Sequence, residues 1–380
     1  MLDTIISYIN QGTGKFDTHY WVEKDKKAEF PGEFLEVIRN LGLTTLLLPE
    51  EYGGSGLSVS DYVKIVRHTS SLHGVAAGDL IMAHNVFGAF SISSLGSEKQ
   101  KEKLLPRIAR NEVISSIAIT EPNAGTDTLN ISTRADRSNG EFILSGRKIW
   151  ITMAHISDLM LVLAKTTKEK TRSTKGMTLF AINPKEHSGI TTSRIDDIAL
   201  RSLGSCEVFF DNVTISEDDI LGEEGEGWRA LTGILNLERL STASISLGTG
   251  ELVLNSATQY AKDRTLFGKQ LGANQSIQFP LAHGKIMLEA SWRMIEEAAR
   301  KRDAGEDGMF EANAAAYLSA SSACALADHS MQVFGGMAFS VDMGIELHWR
   351  NLRLFRVGPV PEQMTLSLIA RHSLGLPPSF

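Results

Sequence analysis

Hydrophobic and polar positions divide the chain into three stretches of different texture. Over roughly 32–42, 58–72, 74–95 and 98–110, apolar residues recur at three- and four-residue spacing, which predicts amphipathic helices. The run PEEYGGSG (49–56) interrupts them with a turn. From about 112 to 213 the pattern shortens. VISSIAIT, EFILSG, KIWITM, LMLVLA, MTLFAI and CEVFFDNV read as strands, separated by turn signals such as SNG at 138–140. Strands follow strands with no helix between, so the sheet is expected to be antiparallel or barrel-like rather than doubly wound. After LGEEGEGW (221–228) helical spacing returns over roughly 227–263, 275–304, 310–334 and 361–372, which predicts a four-helix bundle. The fold class is therefore α+β. It has an N-terminal helical domain (1–112), a central antiparallel β-barrel-like domain (113–222) and a C-terminal helical bundle (223–380).

Composition narrows the picture. A chain of 380 residues has room for two or three domains and a sizeable core. With 42% apolar and 22% charged residues it is neither disordered, collagenous nor a coiled coil. A net charge of −7 argues against a nucleic-acid partner. Cys206 and Cys324 cannot form a disulfide framework and read as small core residues. The ten histidines show no ligand spacing, so no metal site is expected. No stretch of about 20 purely apolar residues predicts a membrane span. The opening residues lack the basic and apolar segments of a signal peptide, so the expected location is cytoplasmic. Gly222, Gly225 and Gly227, and the LGTGELV run at 247–253, do not follow a parallel strand, so neither reads as a dinucleotide fingerprint. Lys165, Lys168, Lys170 and Lys175 read as a solvated loop.

The chemistry concentrates in a few segments. AITEPNAGTDT (118–128) ends a strand in a turn whose backbone N–H groups and Thr126 hydroxyl can hold a phosphate or a polar ring edge. GRKIWIT (146–152), RTLFGKQLGANQ (264–275), MQVFGG (331–336) and YGGSGLS (52–58) follow or flank it. Together these segments resemble the acyl-CoA dehydrogenase family, from about residue 30 to 371. The resemblance implies FAD held without a Rossmann domain. It implies that Ile117, Ile119, Thr120, Gly125, Thr126, Trp150, Ile151 and Thr152 line the flavin. It also implies that Arg264, Phe267, Gln275, Gln332, Val333, Gly335, Gly336 and Gln363 belong to a cofactor site shared between subunits, hence a homodimer or homotetramer. Arginine suits a pyrophosphate, and paired glycines admit close backbone approach.

The implied reaction is removal of an α proton from an acyl thioester and transfer of the β hydride to flavin N5. The electrons would then pass to an electron-transfer flavoprotein. Family members place the base in one of two positions. The loop before the last helix here reads FRVGPVPEQMTLSLIAR (355–371) and puts Pro359 where a glutamate is usual. Proline is neither a base nor an N–H donor to the thioester carbonyl. A one-residue shift would offer Val360 or Val357 as donor. The other position is on a bundle helix, where LNLERLSTA (235–243) matches with Glu238 followed by Arg239.

Helical spacing puts Glu238 on a face with Leu231, Ile234, Leu235, Thr242 and Ile245, and no cation lies three or four positions away. A carboxylate there is costly unless used or paired. Two roles are open: the catalytic base, or one member of a tertiary ion pair with an arginine such as Arg239. Thr126, Asn236 and Arg239 are the expected substrate contacts, and Glu362 is read as a helix-start acid. The expected partner is an acyl-CoA or acyl-carrier-protein thioester. Alternatives on the same scaffold are an acyl-carrier-protein dehydrogenase, an enoyl-thioester reductase, or a non-catalytic flavin-binding paralogue.

Overall fold

The structure, a computed structural model, describes residues 2–167 and 173–378; Lys168 and Lys170 lie outside them. Seven helices open the chain: α1 (Leu2–Thr13), α2 (Thr18–Lys26), α3 (Gly32–Asn40), α4 (Val59–His73), α5 (Val75–Met82), α6 (Ser91–Leu95) and α7 (Glu98–Ala109). Local chemistry sets their starts. Asp17 caps α2 through Tyr20 N, Ser58 caps α4 through Asp61 N, and Ser97 with Gln100 forms a capping box on α7. The expected single helix over 74–95 is interrupted by a wider π-helical stretch, Ala83–Phe90, between α5 and α6. By length and composition Val75–Leu95 could cross a membrane, but 94% of that window is buried inside the fold. It is a core element.

The middle region forms one seven-stranded sheet: β1 (Ser115–Ala118), β2 (Arg134–Ser138), β3 (Glu141–Thr152), β4 (Leu159–Lys165), β5 (Met177–Ile182), β6 (Ile190–Arg194) and β7 (Ser205–Ile215). The order is β1-β4-β2-β3-β7-β6, with β5 on β4. As expected, most of the pairings are antiparallel (β2–β3, β3–β7, β4–β5 and β6–β7), but β1 and β2 both run parallel to β4. EFILSG and KIWITM are also not two strands. They are one, β3, whose register against β7 shifts between Leu144 and Gly146 and again between Lys148 and Ile151. The sheet has its own core, centred on Phe142 and Phe180 with ring centroids 5.4 Å apart.

The last third begins with the long helix α8 (Gly227–Asp263) and the two-stranded hairpin β8 (Thr265–Leu266) and β9 (Lys269–Gln270). Then come α9 (Gln275–Asp303), α10 (Met309–Phe334), α11 (Ile345–Leu354) and α12 (Glu362–Ser373). α10 packs against α8, α9, α11 and α12, and α4 packs against α8 and α9. The N-terminal and C-terminal helices thus share one apolar core, which takes in Leu159, Leu161 and Leu163 of β4 and Met177 and Leu179 of β5, while the opposite face of the sheet packs on a core of its own.

Candidate active site

Glu238 lies on α8 at 6% exposure, and among the described residues it makes no ion pair. Its Oε2 has no hydrogen-bond partner. Burial pushes its carboxyl up to about 8; the Arg239 guanidinium opposes the shift and Asp79 adds to it. Arg239 is 8% exposed, donates to Asn236 Oδ1 at 2.9 Å and leaves its Nε unpartnered. The guanidinium faces a cleft walled by Thr242, Tyr317, Phe355, Pro359 and Val360. Pro359 and Arg239 therefore line one space between α8, α10 and the loop before α12. Glu362 lines the same cleft but is committed to Arg356. It begins α12 and accepts from Arg356 at 2.7 and 2.8 Å, which holds its carboxyl below the usual range.

The strand-end turn is built around a buried ion pair that the sequence reading did not single out. Lys148, fully buried in β3, places Nζ 3.0 Å from Glu121 Oε1 and donates to Ile119 O at 2.8 Å. Glu121 also accepts from Ser132 N and Ser132 Oγ, both at 2.6 Å, and from Thr133 N at 2.9 Å. Burial alone would raise the Glu121 carboxyl, but Lys148 and these donors outweigh it and hold it at about 2. The pair and the Ile149 N to Thr120 O bond of 2.9 Å pin the chain from Ile119 to Glu121 against β3. A sequence signal existed: Phe142, Leu144 and Lys148 fall on alternate positions of one strand, which puts a lysine in the inward phase.

Trp150 follows at the register shift in β3, at φ +64° and 55% exposed. A bulky residue in the left-handed region signals a conformation imposed by its surroundings. Ile151 beside it is buried and Thr152 pairs with Ser205 of β7. Ile117, Ile119 and Thr120 are half-buried, whereas Gly125 and Thr126 stand exposed on the turn.

The second predicted group is gathered by the bundle. Arg264 ends α8, Phe267 sits fully exposed at the tip of the β8–β9 hairpin, and Gln275 begins α9. Gln332 and Val333 end α10, followed by Gly335 at φ +60° and Gly336. Tyr260 and Phe334 stack at 4.3 Å and join the two ends. Gln363, in the first turn of α12, is exposed and bonds to Glu362 at 3.2 Å. Among the described residues, no hydrogen bond ties Glu238 to either group.

Three domain families match in order: the acyl-CoA dehydrogenase N-terminal domain over 17–112, the middle domain over 116–213 and the C-terminal domain over 225–374. The chain belongs to the acyl-CoA dehydrogenase family. It is 33% identical over 353 residues to a 3-(aryl)acrylate reductase of Clostridium sporogenes, covering 93% of each chain. It is 30% identical to an acyl-CoA dehydrogenase of Bacillus subtilis, covering 92% of each. Among solved structures it resembles a glutaryl-CoA dehydrogenase in complex with glutaryl-CoA, with a TM-score of 0.94 and 25% identity over 99% of this chain and 95% of that one. As a member of this family, the chain is an FAD-dependent oxidoreductase. Its open backbone fits the cofactor. Nothing lies within 4 Å of where a Cβ would sit on Gly125, Gly335 or Gly336, so the chain leaves room beside bare peptide groups at both predicted cofactor segments.

Proposed function

We propose that this flavoprotein catalyses α,β-dehydrogenation of an acyl thioester, with Glu238 as the base that takes the α proton. The carrying observation is the unpaired, buried Oε2 of Glu238 on α8, in the core that the N-terminal and C-terminal helices share. As the Cα–H bond breaks, its electron pair forms the Cα=Cβ bond and the Cβ hydride leaves. Bound FAD supplies the hydride acceptor. Trp150, Thr152 and Thr126 on one side, and Arg264, Phe267, Gln275, Gly335 and Gly336 from a second copy of the chain, would hold the cofactor. Arg239 and Asn236 would position the thioester, and an electron-transfer flavoprotein would collect the electrons. Anaerobic addition of a panel of acyl-CoA and acyl-carrier-protein thioesters, read as loss of flavin absorbance, tests the reading and names the carrier. A panel in which no thioester bleaches the flavin overturns it.

One observation favours a second direction. With its carboxyl pushed up to about 8, Glu238 holds a proton at neutral pH, as needed to protonate Cα of an enoyl thioester during reduction. The reductase of C. sporogenes is a relative of this chain. The two directions have opposite pH signs. If Glu238 abstracts the proton, kcat/KM for dehydrogenation rises as pH climbs through about 8, where the free enzyme loses its proton. If it donates, kcat/KM for reduction falls over the same interval. Stopped-flow profiles in both directions with a matched acyl and enoyl pair decide which limb limits turnover.

The exposed Phe267, with Met337 and Phe339 beyond α10, supports a cofactor site completed by a partner subunit. Arg264→Ala is expected to weaken FAD retention and subunit association together. Light scattering coupled to flavin absorbance checks this, and a fully FAD-loaded wild-type monomer would contradict it.

A further inference from the structure

Backbone strain gathers where the three regions of the chain meet. Asparagine takes positive φ readily, so the telling cases are the other side chains. Among the described residues these are Ala28 at φ +50°, Trp150 at +64°, Met153 at +59°, Leu200 at +56° and Phe267 at +50°. All but Phe267 lie on or near one turn, residues 200–204, between β6 and β7. Leu200 N donates to Asn351 Oδ1 of α11 at 2.9 Å, and Leu203 N and Gly204 N close the turn on Leu200 O at 2.9 and 3.1 Å. Gly204 O accepts from Met153 N at 3.0 Å, and Thr152 pairs with Ser205. The end of β3, with Trp150 and Thr152, therefore rests on this turn.

Arg194, the last residue of β6, clasps the turn. Its guanidinium lies against bare Gly204, where a Cβ would come within 2.7 Å of Nε and Nη2. Nη2 donates to Arg201 O inside the turn at 2.7 Å, and Nη1 donates to Ala28 O, two residues beyond α2, at 2.8 Å. Arg201 adds a second tie, from its Nε to Asp25 O at 3.3 Å. The Arg194 side chain thus joins the N-terminal helices to the turn and, through Gly204, to the end of β3. Arg194 is solvent-exposed, so these bonds are not forced on it by burial. Strained residues persist only where their surroundings over-determine them, and they cluster where ligands are gripped.

We propose that Arg194 is a positioning residue for the flavin: by clamping the 200–204 turn to the end of α2, it fixes where β3 presents Trp150 and Thr152. The inference rests on the proposed role of Trp150 and Thr152 in holding FAD. Arginine suits the task because its rigid fork reaches two carbonyls at once, whereas lysine offers one compact ammonium. Without the clamp, the turn keeps its own closing bonds and its bond to Asn351 but loses the tie from Arg194 to Ala28. The left-handed backbone at Trp150 and Met153 is then free to relax, and the proposed flavin-facing side chains move with it.

Fluorescence of the FAD-loaded holoenzyme tests this. The quenching of Trp150 by bound flavin is identified by its loss in Trp150→Phe. In Arg194→Ala that quenching is expected to fall, and FAD to bind about tenfold more weakly, the worth of one charge-assisted hydrogen bond. The Met153 amide, bonded to Gly204 O, should exchange faster in the apoprotein as well. Arg194→Lys keeps the charge but not the double reach, and should fall between wild type and Arg194→Ala; it also carries the test if Arg194→Ala fails to fold. Arg137→Ala breaks an exposed ion pair with Glu224 elsewhere on the sheet and should leave the quenching as it is. A merely structural Arg194 would lower the melting temperature yet leave Trp150 quenching and FAD affinity unchanged in the folded variants, and that result overturns the inference. If Trp150→Phe itself alters no quenching, the proposed placement of the flavin is overturned, and the inference with it.

Discussion

Glu238→Gln is expected to slow flavin reduction by the best acyl thioester ~10²–10⁴-fold, the range typical for loss of a general base. FAD content and assembly should not change, because the amide keeps the size of the side chain and Glu238 Oε2 has no partner to lose. Stability separates this outcome from the ion-pair alternative. Removing one member of a buried ion pair costs ~3–5 kcal/mol through the charge left behind. Glu238 has no such partner, and its folded-state carboxyl lies above the unfolded value of 4.5, at about 8. The unfolded chain therefore releases this proton first. Stability contributed at this position falls as pH rises from about 4.5 to about 8, at ~1.4 kcal/mol per pH unit. Glutamine removes that penalty. Melting temperatures of variant and wild type should coincide near pH 4 and diverge above it, with the variant higher at pH 8. A variant that melts lower at every pH would place Glu238 in a structural role. A stable variant with unchanged flavin reduction would move the base to the Pro359 loop.

What was legible in the sequence followed from how each element is buried. α4, α8, α9 and α10 present continuous apolar faces, so spacing located them closely. α2 reads THYWVEKDK and buries Lys24 and Asp25 beside Trp21 and Val22, so its pattern resembles no amphipathic helix. β2 (RADRS) and β6 (ITTSR) are largely exposed on polar side chains, which hides a strand whose hydrogen bonds come from its neighbours. β3 was divided at Gly146, yet that residue continues the strand. It runs at φ +152°, and a Cβ there would come within 2.4 Å of Thr133 Oγ1. The parallel pairing of β1 with β4 joins residues more than forty positions apart, and no local pattern encodes it.

The site divides in the same way. Glu238 was readable because it stands alone on an apolar stripe, and Trp150 because it lies in a recognisable run. Glu121 and Lys148 are separated by a turn and a hairpin, and neither is unusual until both are seen to be buried. The residues that hold this turn in place were therefore less visible than those proposed to face the cofactor.

That difference makes Lys148→Met the other substitution of large effect. Methionine fills much of the buried volume of the lysine stem but leaves Glu121 without its counter-charge. Glu121 would keep Ser132 N, Ser132 Oγ and Thr133 N as donors and lose the 3.0 Å contact to Nζ, while Ile119 O would lose its 2.8 Å donor. Breaking a buried pair on one side costs ~3–5 kcal/mol. Because the pair pins Ile119 to Glu121 against β3, FAD should also be released more readily from the variant. Chemical denaturation and flavin released on gel filtration measure the two effects. Glu121→Gln combined with Lys148→Met removes both charges and should recover most of the stability, so a double-mutant cycle isolates the coupling. Acid supplies an independent check. Glu121 is held at about 2, below its unfolded value, so its stabilisation is complete above about pH 4.5 and is lost as pH falls toward 2. Without Lys148 the folded carboxyl moves up, the gap to the unfolded value closes, and that acid-labile contribution shrinks. A Lys148→Met holoenzyme with wild-type melting, full FAD and an unchanged acid limb would mean that Ser132 and Thr133 alone hold the turn.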